Sequence, residues 1–345
     1  MTTDEEETTF GRIAALIQSA GHVVVSGHTN PDGDALGSAL ALTLLIEERW
    51  PGVDVRPILA NDRPADVLYS FLPGFGRLVP AARFEGTPDL FIAVDTPTLD
   101  RLADSAAVFS RSRTSAAIDH HPSRDPYAQV SLVRDHACAA GVIVYDFMRF
   151  LGVAPTADIA TCLLTAIVTD TGRFQYQNTT ADALRVAADL VDAGASLAHV
   201  TSSVYQSLSM ATLRLKEALY GRLATTADGH VAYSYVTQED LARCGGTAED
   251  CESLIDEVRS LGGTEACLFL RELSDGSLRG NLRSKVDWLD VSEAARVFGG
   301  GGHRAAAGYT IDGPAEVALS RSLEALAARI EADRPDSRTC EGCGR

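Results

Sequence analysis

Four times in the first half of the chain an apolar run stops on an acid or a histidine. His22-Val-Val-Val-Ser-Gly leads into His28-Thr-Asn-Pro-Asp32-Gly-Asp34, and Leu90 to Val94 closes on Asp95. Ala116 to Ile118 runs into Asp119-His120-His121-Pro122, and Ile159 to Thr169 ends at Asp170. Short, continuous apolar runs separated by helical stretches read as strands buried on both faces, which is the texture of a parallel sheet. The spacing predicts strands over 22–28, 89–94 and 116–118. It predicts helices over 10–20, from Asp34 onward and over 159–169, with Asp34 favoured by the dipole at its helix start. Strand–helix alternation of this kind predicts a doubly wound, mainly parallel sheet with its site at the carboxyl ends of the strands.

The texture changes in the second half. Residues 183 to 224 are helical in pattern and read as a domain junction with a connecting helix. Beyond them 230–236, 266–273 and 277–283 read as strands. Residues 290–298 read as a helix running into Gly299-Gly-Gly-Gly302-His303-Arg304, and 314–332 as the last helix. The expected architecture is α/β: a catalytic domain over 1–195, a helical linker over 196–225, a smaller α+β domain over 226–335, and a flexible tail over 336–345.

Composition excludes several classes. In 345 residues, 46% hydrophobic content supplies two cores. No apolar run approaches the ~18 residues a membrane span needs. The leader Met-Thr-Thr-Asp-Glu-Glu-Glu is acidic where a secretory signal is basic and then apolar, so a cytoplasmic protein is expected. Seven cysteines are an odd number, and those in apolar stretches, such as Cys162 and Cys267, read as reduced core thiols. Cys340 and Cys343 have zinc-pair spacing without a second pair, and read as part of a frayed terminus. A formal charge of −17 argues against a groove for long nucleic acid but leaves room for a small phosphorylated substrate.

Oxygen and imidazole donors without thiolate suit a hard or borderline divalent ion such as manganese, and two such ions together are a standard means of hydrolysing a phosphoester. Each motif has a plainer reading. Asn-Pro-Asp-Gly-Asp is turn-forming in its own right. A calcium loop starting at Asn30 fails, because its sixth position is Ala35 and its twelfth is Ala41. Gly37 and Ser38, in the first helical turn, leave room for something bulky. Asp95 alone could be a cap or turn residue. In Asp119-His120-His121, Pro122 ends the strand, so one imidazole can bind metal while its neighbour meets phosphate and Asp119 holds an imidazole N–H. Asp170 either caps the turn at Thr171-Gly172 or completes a metal shell. The run Gly299–Gly302 can offer backbone N–H groups to an anion, though it lacks the Lys-Ser/Thr of a nucleotide loop. Its entropic cost suggests a close approach to the backbone, and a simple helix end is the alternative. Arg283-Ser284-Lys285 and His303-Arg304 concentrate cations and donors suited to a terminal phosphate.

Taken in order, these motifs resemble the DHH–DHHA1 phosphoesterase family, and within it the NrnA-type nano-RNases and adenosine 3′,5′-bisphosphate (pAp) phosphatases. The resemblance runs from the His28 motif through Gly-Gly-Gly-Gly-His-Arg-Ala-Ala-Ala-Gly308. It implies one Mn²⁺ on His28, Asp32 and Asp95, and a second on Asp34, Asp95, His120 and Asp170, with Asp95 bridging and Mg²⁺ or Co²⁺ as substitutes. It implies that His121, supported by Asp119, contacts the scissile phosphate. The second domain would hold the nucleotide with Arg283, Ser284, Gly301, Gly302, His303 and Arg304. The implied activity is manganese-dependent hydrolysis of short oligoribonucleotides, linear dinucleotides (pApA, pGpG) and pAp, with no covalent nucleophile. Cyclic di-AMP is the alternative substrate, and a nucleotide sensor is the non-enzymatic alternative, against which the intact ligand set speaks. RecJ-type exonucleases carry added nucleic-acid-binding domains that this chain is too short to supply. Family II pyrophosphatases lack the Gly-Gly-Gly-His second domain. A homodimer fits the resemblance; long nucleic acid and membrane partners do not.

Overall fold

The computed structural model describes residues 3–61, 67–122, 126–226 and 228–335. The chain divides into two compact units, Met1–Ser207 and Leu208–Arg345. The first contains helices α1 (Thr3–Ser19), α2 (Gly33–Arg49), α3 (Ser105–Arg111), α4 (Ala140–Phe150), α5 (Ala157–Asp170), α6 (Ala181–Asp192) and α7 (Leu197–Tyr205). Its strands are β1 (His22–Ser26), β2 (Asp54–Leu59), β3 (Val79–Pro80), β4 (Leu90–Val94), β5 (Thr114–Asp119) and β6 (Val130–Val133).

These six strands form one sheet in the order β3-β2-β1-β4-β5-β6, parallel throughout. Every residue of β4 is buried, as its unbroken apolar run requires of a central strand covered on both faces. Strand order reverses between β1 and β4, and such a switch point opens a crevice beyond the carboxyl ends of the strands. In register, Ser26 pairs with Ala93, and Ala93 with Ala117. His28, Asp95 and the Asp119-His120-His121 turn therefore leave the sheet along one edge, beside the switch point.

Strands β2 and β6 and helix α4 escaped the sequence reading. β2 carries Pro57, which argues against an internal strand, yet the strand pairs on both sides. Helix α1 begins well before Phe10, inside the acidic leader, where Asp4, Glu5 and Glu6 favour the helix N-terminus.

Helices α2 and α5 pack closely. A Cβ on Gly37 would stand 2.4 Å from the Cys162 carbonyl oxygen, and one on Gly33 would stand 2.5 Å from the Thr169 side chain. The room that Gly37 leaves is thus filled by the backbone of α5. This contact brings Asp34, in the first turn of α2, towards Asp170 at the end of α5.

The stretch 196–225 is two helices rather than one, α7 in the first unit and α8 (Met210–Gly221) in the second. The second unit continues with β7 (Ala224–Thr225), β8 (Val231–Val236), α9 (Gln238–Cys244), α10 (Leu254–Arg259), β9 (Ala266–Glu272), β10 (Leu278–Ser284), α11 (Val291–Arg296), β11 (Gly301–His303), β12 (Ala306–Ile311) and α12 (Ala315–Asp333). Its sheet runs β11-β12-β10-β9-β8-β7, antiparallel except between β8 and β9. One face buries Leu268, Leu270, Leu278, Leu282, Tyr309 and Ile311 with residues of α11 and α12. On the other, Ala232, Val236, Cys267 and Phe269 pack with residues of α8, α9 and α10. Each fully buried leucine, isoleucine or phenylalanine contributes ~1.5–3 kcal/mol, so both cores are substantial.

The glycine run is not a free loop. Gly301 and Gly302 belong to edge strand β11, paired with Gly308 and Ala307 of β12. A Cβ on Gly300 would stand 2.3 Å from the Gly308 carbonyl oxygen, so the backbone that approaches closely is that of β12. Cys138, Cys162, Cys244, Cys251 and Cys267 are buried free thiols, as expected of reduced core cysteine. Cys340, Cys343 and the rest of the 336–345 tail lie outside the described residues. Among the described residues no helix is long and apolar enough to cross a membrane.

Candidate metal centre

Three groups of side chains at the sheet edge bring ligand atoms within 4.8 Å of one another: His28 with Asp32 and Asp95, Asp34 with His120 and Asp170, and Asp95 with His120 and His121. Asp95 and His120 each belong to two groups. All six sequence-derived ligand candidates therefore converge, with Asp95 between the two sets. The His28 Nε2 lies 3.4 Å from one Asp95 oxygen, and the His120 Nε2 lies 3.3 Å from the other.

Local structure aims each group. Asp32 caps α2, its Oδ1 accepting the N–H groups of Asp34 at 3.0 Å and Ala35 at 3.1 Å. Asp34 accepts the Ser38 hydroxyl at 2.8 Å, and the amides of Ala140 and Gly141 at the start of α4 at 2.6 and 3.0 Å. Asp95 has φ of +50°, a left-handed conformation uncommon outside glycine and tolerated best by Asp and Asn. Its N–H still bonds to the Ile118 carbonyl at 3.0 Å, so the chain leaves the ladder only after that bond and turns sharply. Strain of this kind collects at functional sites.

The Asp-His-His turn is ordered by its own acid. Oδ1 of Asp119 accepts the backbone N–H groups of His120 at 2.8 Å and His121 at 3.1 Å, and lies 2.8 Å from the His121 Nδ1. The same Nδ1 lies 3.3 Å from the Asp95 Oδ1, so the ring is held between the two acids. Nδ1 of His28 lies 2.8 Å from the Thr29 carbonyl oxygen, and that of His120 lies 3.2 Å from the Ala137 carbonyl oxygen. A carbonyl only accepts, which places the proton of His120 on Nδ1, and both Nε2 atoms point inward to Asp95, the arrangement of a ligating histidine.

Charge explains why the cluster calls for cations. Burial raises the Asp34 carboxyl well above its usual range, and the nearby Asp95 charge adds to this. Burial likewise pushes Asp170 up to about 7, with His120 opposing and Asp32 and Asp95 adding. Burial also opposes ionisation of Asp95, but hydrogen bonds from His120 and His28 outweigh it and hold that carboxyl low. Burial disfavours charge on the His28 ring, yet Asp95 and Asp32 push it up to about 9; the same balance, led by the bond to Asp95, pushes His120 up to about 11. Without metal, the rings take up protons in place of cations. Oδ1 of buried Asp95 meets only two imidazole nitrogens, the His120 Nε2 and the His121 Nδ1, each at 3.3 Å, a long approach for a buried carboxylate oxygen and one that a bridging ion would improve on. The residues therefore fit a pair of divalent ions.

In the second unit Arg283, Ala306 and His303 stand opposite one another across β10, β12 and β11, forming one row on one face. Asn281, Gly308 and Gly301 form the next row on the same face. Other predicted contacts have structural tasks. The Ser284 hydroxyl donates to the Val286 carbonyl at 2.7 Å, and Arg304 donates to the carbonyls of Asp287 at 2.9 Å and Trp288 at 2.8 Å.

Sequence reasoning missed Arg101, whose Nη2 lies 3.2 Å from the His28 Nδ1, and Tyr127, whose hydroxyl donates to the Thr96 carbonyl at 2.7 Å. Neither closes an apolar run, so neither carried a signal.

Comparison with known proteins gives a consistent picture. The family model described as "DHH family, N-terminal domain" matches residues 22–167, and that of the "DHHA1 domain" matches 228–332. The bifunctional oligoribonuclease and PAP phosphatase NrnA of Thermus thermophilus is 32% identical, over 91% of this chain and 93% of its own length. The protein of the same name from Bacillus subtilis is 26% identical, over 84% of this chain and 89% of its own. A solved structure, an exopolyphosphatase-related protein from Bacteroides fragilis, superposes with a TM-score of 0.88 over 95% of this chain and 98% of that one; at 22% identity it speaks for the fold.

Proposed function

The chain belongs to the DHH family, with a DHHA1 domain following the DHH domain, and is a hydrolase acting on phosphoester bonds; from that premise we propose that it cleaves short oligoribonucleotides and linear dinucleotides such as pApA and pGpG to mononucleotides, and pAp to AMP. The observation that carries the reading is the convergence of three ligand groups through Asp95 and His120. The likeness to the named oligoribonuclease and PAP phosphatases supports the substrate class.

His28, Asp32 and Asp95 would hold one Mn²⁺, and Asp34, Asp95, His120 and Asp170 the other. When bound, the two ions supply the Lewis acidity that activates water near neutral pH and offsets charge gathering on the phosphate. The chain's own groups do the rest. Asp119 fixes the His121 ring, which would hydrogen-bond a phosphate oxygen or the departing oxygen. Arg283 and His303, on one sheet face, bind a terminal phosphate.

The test is a turnover panel over pApA, pGpG, pAp, cyclic di-AMP and pyrophosphate, with Mn²⁺ and with EDTA. Hydrolysis of the linear substrates in Mn²⁺ and its loss in EDTA are expected. Turnover of cyclic di-AMP alone, or of pyrophosphate alone, would overturn the substrate assignment.

A further inference from the structure

Asn178 lies eight residues beyond Asp170, past a turn in which Gly172, Arg173 and Phe174 all have positive φ, of 54°, 64° and 64°. Its Nδ2 is within 3.1 Å of the Cys138 carbonyl oxygen, 3.1 Å of the Asp170 carbonyl oxygen and 3.4 Å of the Asp170 Oδ2. Three acceptors around one atom identify it as the amide nitrogen, since the side-chain oxygen would repel all three.

The segment that Asn178 grips is the one that orders the rest of the cluster. The Ala137 carbonyl faces His120, and the Ala140 and Gly141 amides hold Asp34. Between them, the Cys138 carbonyl takes Asn178. Residues 137–141 thus form a backbone cradle touching two members of the Asp34, His120 and Asp170 group, and Asn178 ties the third member to it. None of these contacts reaches His28 or Asp32. Two consecutive non-glycine residues in the left-handed region are costly, and they are what returns the chain to the cluster in time for Asn178.

We propose that Asn178 is a positioning residue for one of the two metal sites, holding the Asp170 carboxylate against the 137–141 cradle so that the Asp34, His120 and Asp170 group is preformed, while the His28, Asp32 and Asp95 group feels it only through the shared Asp95. The inference rests on the two-metal reading given above. Loss of a partner that orients a ligand costs metal affinity on the order of 10–100-fold.

The experiment is a Mn²⁺ titration of the full chain, by calorimetry and by electron paramagnetic resonance, on the unaltered protein and on Asn178→Ala, Asn178→Asp and Asn178→Ser. The unaltered protein binds two ions. Asn178→Ala and the isosteric Asn178→Asp weaken one of them about tenfold or more and the other markedly less. They lower kcat at subsaturating metal with KM unchanged, and Asn178→Ser, which retains a donor, recovers part of the lost affinity. Equal weakening of both ions, or no weakening in a variant that melts like the unaltered protein in EDTA, would overturn the proposal. Should Asn178→Ala not fold, Asn178→Asp decides by the same criterion. An unaltered protein that binds no divalent ion would defeat the two-metal reading itself, an outcome distinct from failure of the role assigned to Asn178.

Discussion

The two units solve the problem of gathering polar groups in opposite ways. In the first, acids and histidines from four separated places converge at the edge of a parallel sheet, with His28, Asp34 and Asp95 buried, and backbone groups aim them: Asp34 by amides of α4, and His28 and His120 by carbonyls. In the second, Arg283, Asn281 and His303 stand in rows on a sheet face, placed by the pairing of β10, β12 and β11. A burial-driven cluster is rigid and costly to ionise, and so suited to metal. A half-open sheet face is cheap to hydrate, and so suited to a phosphate that must come and go.

That contrast can be broken most directly at Asp95. Asp95→Asn retains the preference for a left-handed backbone but removes the shared charge. It is expected to cut kcat by on the order of 10²–10³-fold, as the loss of one electrostatic stabiliser does, while binding of AMP to the second unit is retained. Near-normal turnover at saturating Mn²⁺ would sink the bridging assignment.

Acidity probes the same cluster next. Without metal the His28 and His120 rings have affinities for protons raised to about 9 and about 11, so at neutral pH a metal ion must displace those protons. The sign follows: affinity rises with pH, about tenfold per pH unit for each proton displaced, up to pH ~9. Calorimetry between pH 6 and 8 in buffers of different protonation enthalpy measures the protons released. A flat affinity would mean that the rings are already neutral.

The smallest effect is expected in the second unit. Arg283→Ala should raise KM for substrates with a terminal phosphate about tenfold, as removal of one charge-assisted hydrogen-bonding group does, and leave Mn²⁺ stoichiometry at two. A fall in stoichiometry would show that the two units do not divide the work as described.

The first unit was legible in the sequence because its candidate ligands close apolar runs. A buried strand followed by an acid or a histidine leaves that residue at the carboxyl edge whatever the loops do, so His28, Asp95 and the Asp119-His120-His121 turn could be placed before any contact was known. Asp170 was legible for a related reason, as the one charge ending an apolar helix. The second unit was less legible. The run Gly299–Gly302 looks like a loop, but pairing makes part of it edge strand β11, and Arg304, read in the sequence as a cation for phosphate, also donates to two carbonyls.

What the sequence alone determined was the identity and order of the candidate ligands, because hydrophobic periodicity and the chemistry of oxygen and nitrogen donors are both local. The tertiary structure decided which ligands share a site and what holds them there. The meeting of Asp34 and Asp170 depends on α2 packing at glycine distance on α5, and the aim of Asp34, His120 and Asp170 depends on the 137–141 backbone and on Asn178. Those contacts join residues far apart in the chain through backbone groups that every residue possesses. No side-chain pattern announces them until the chain has folded.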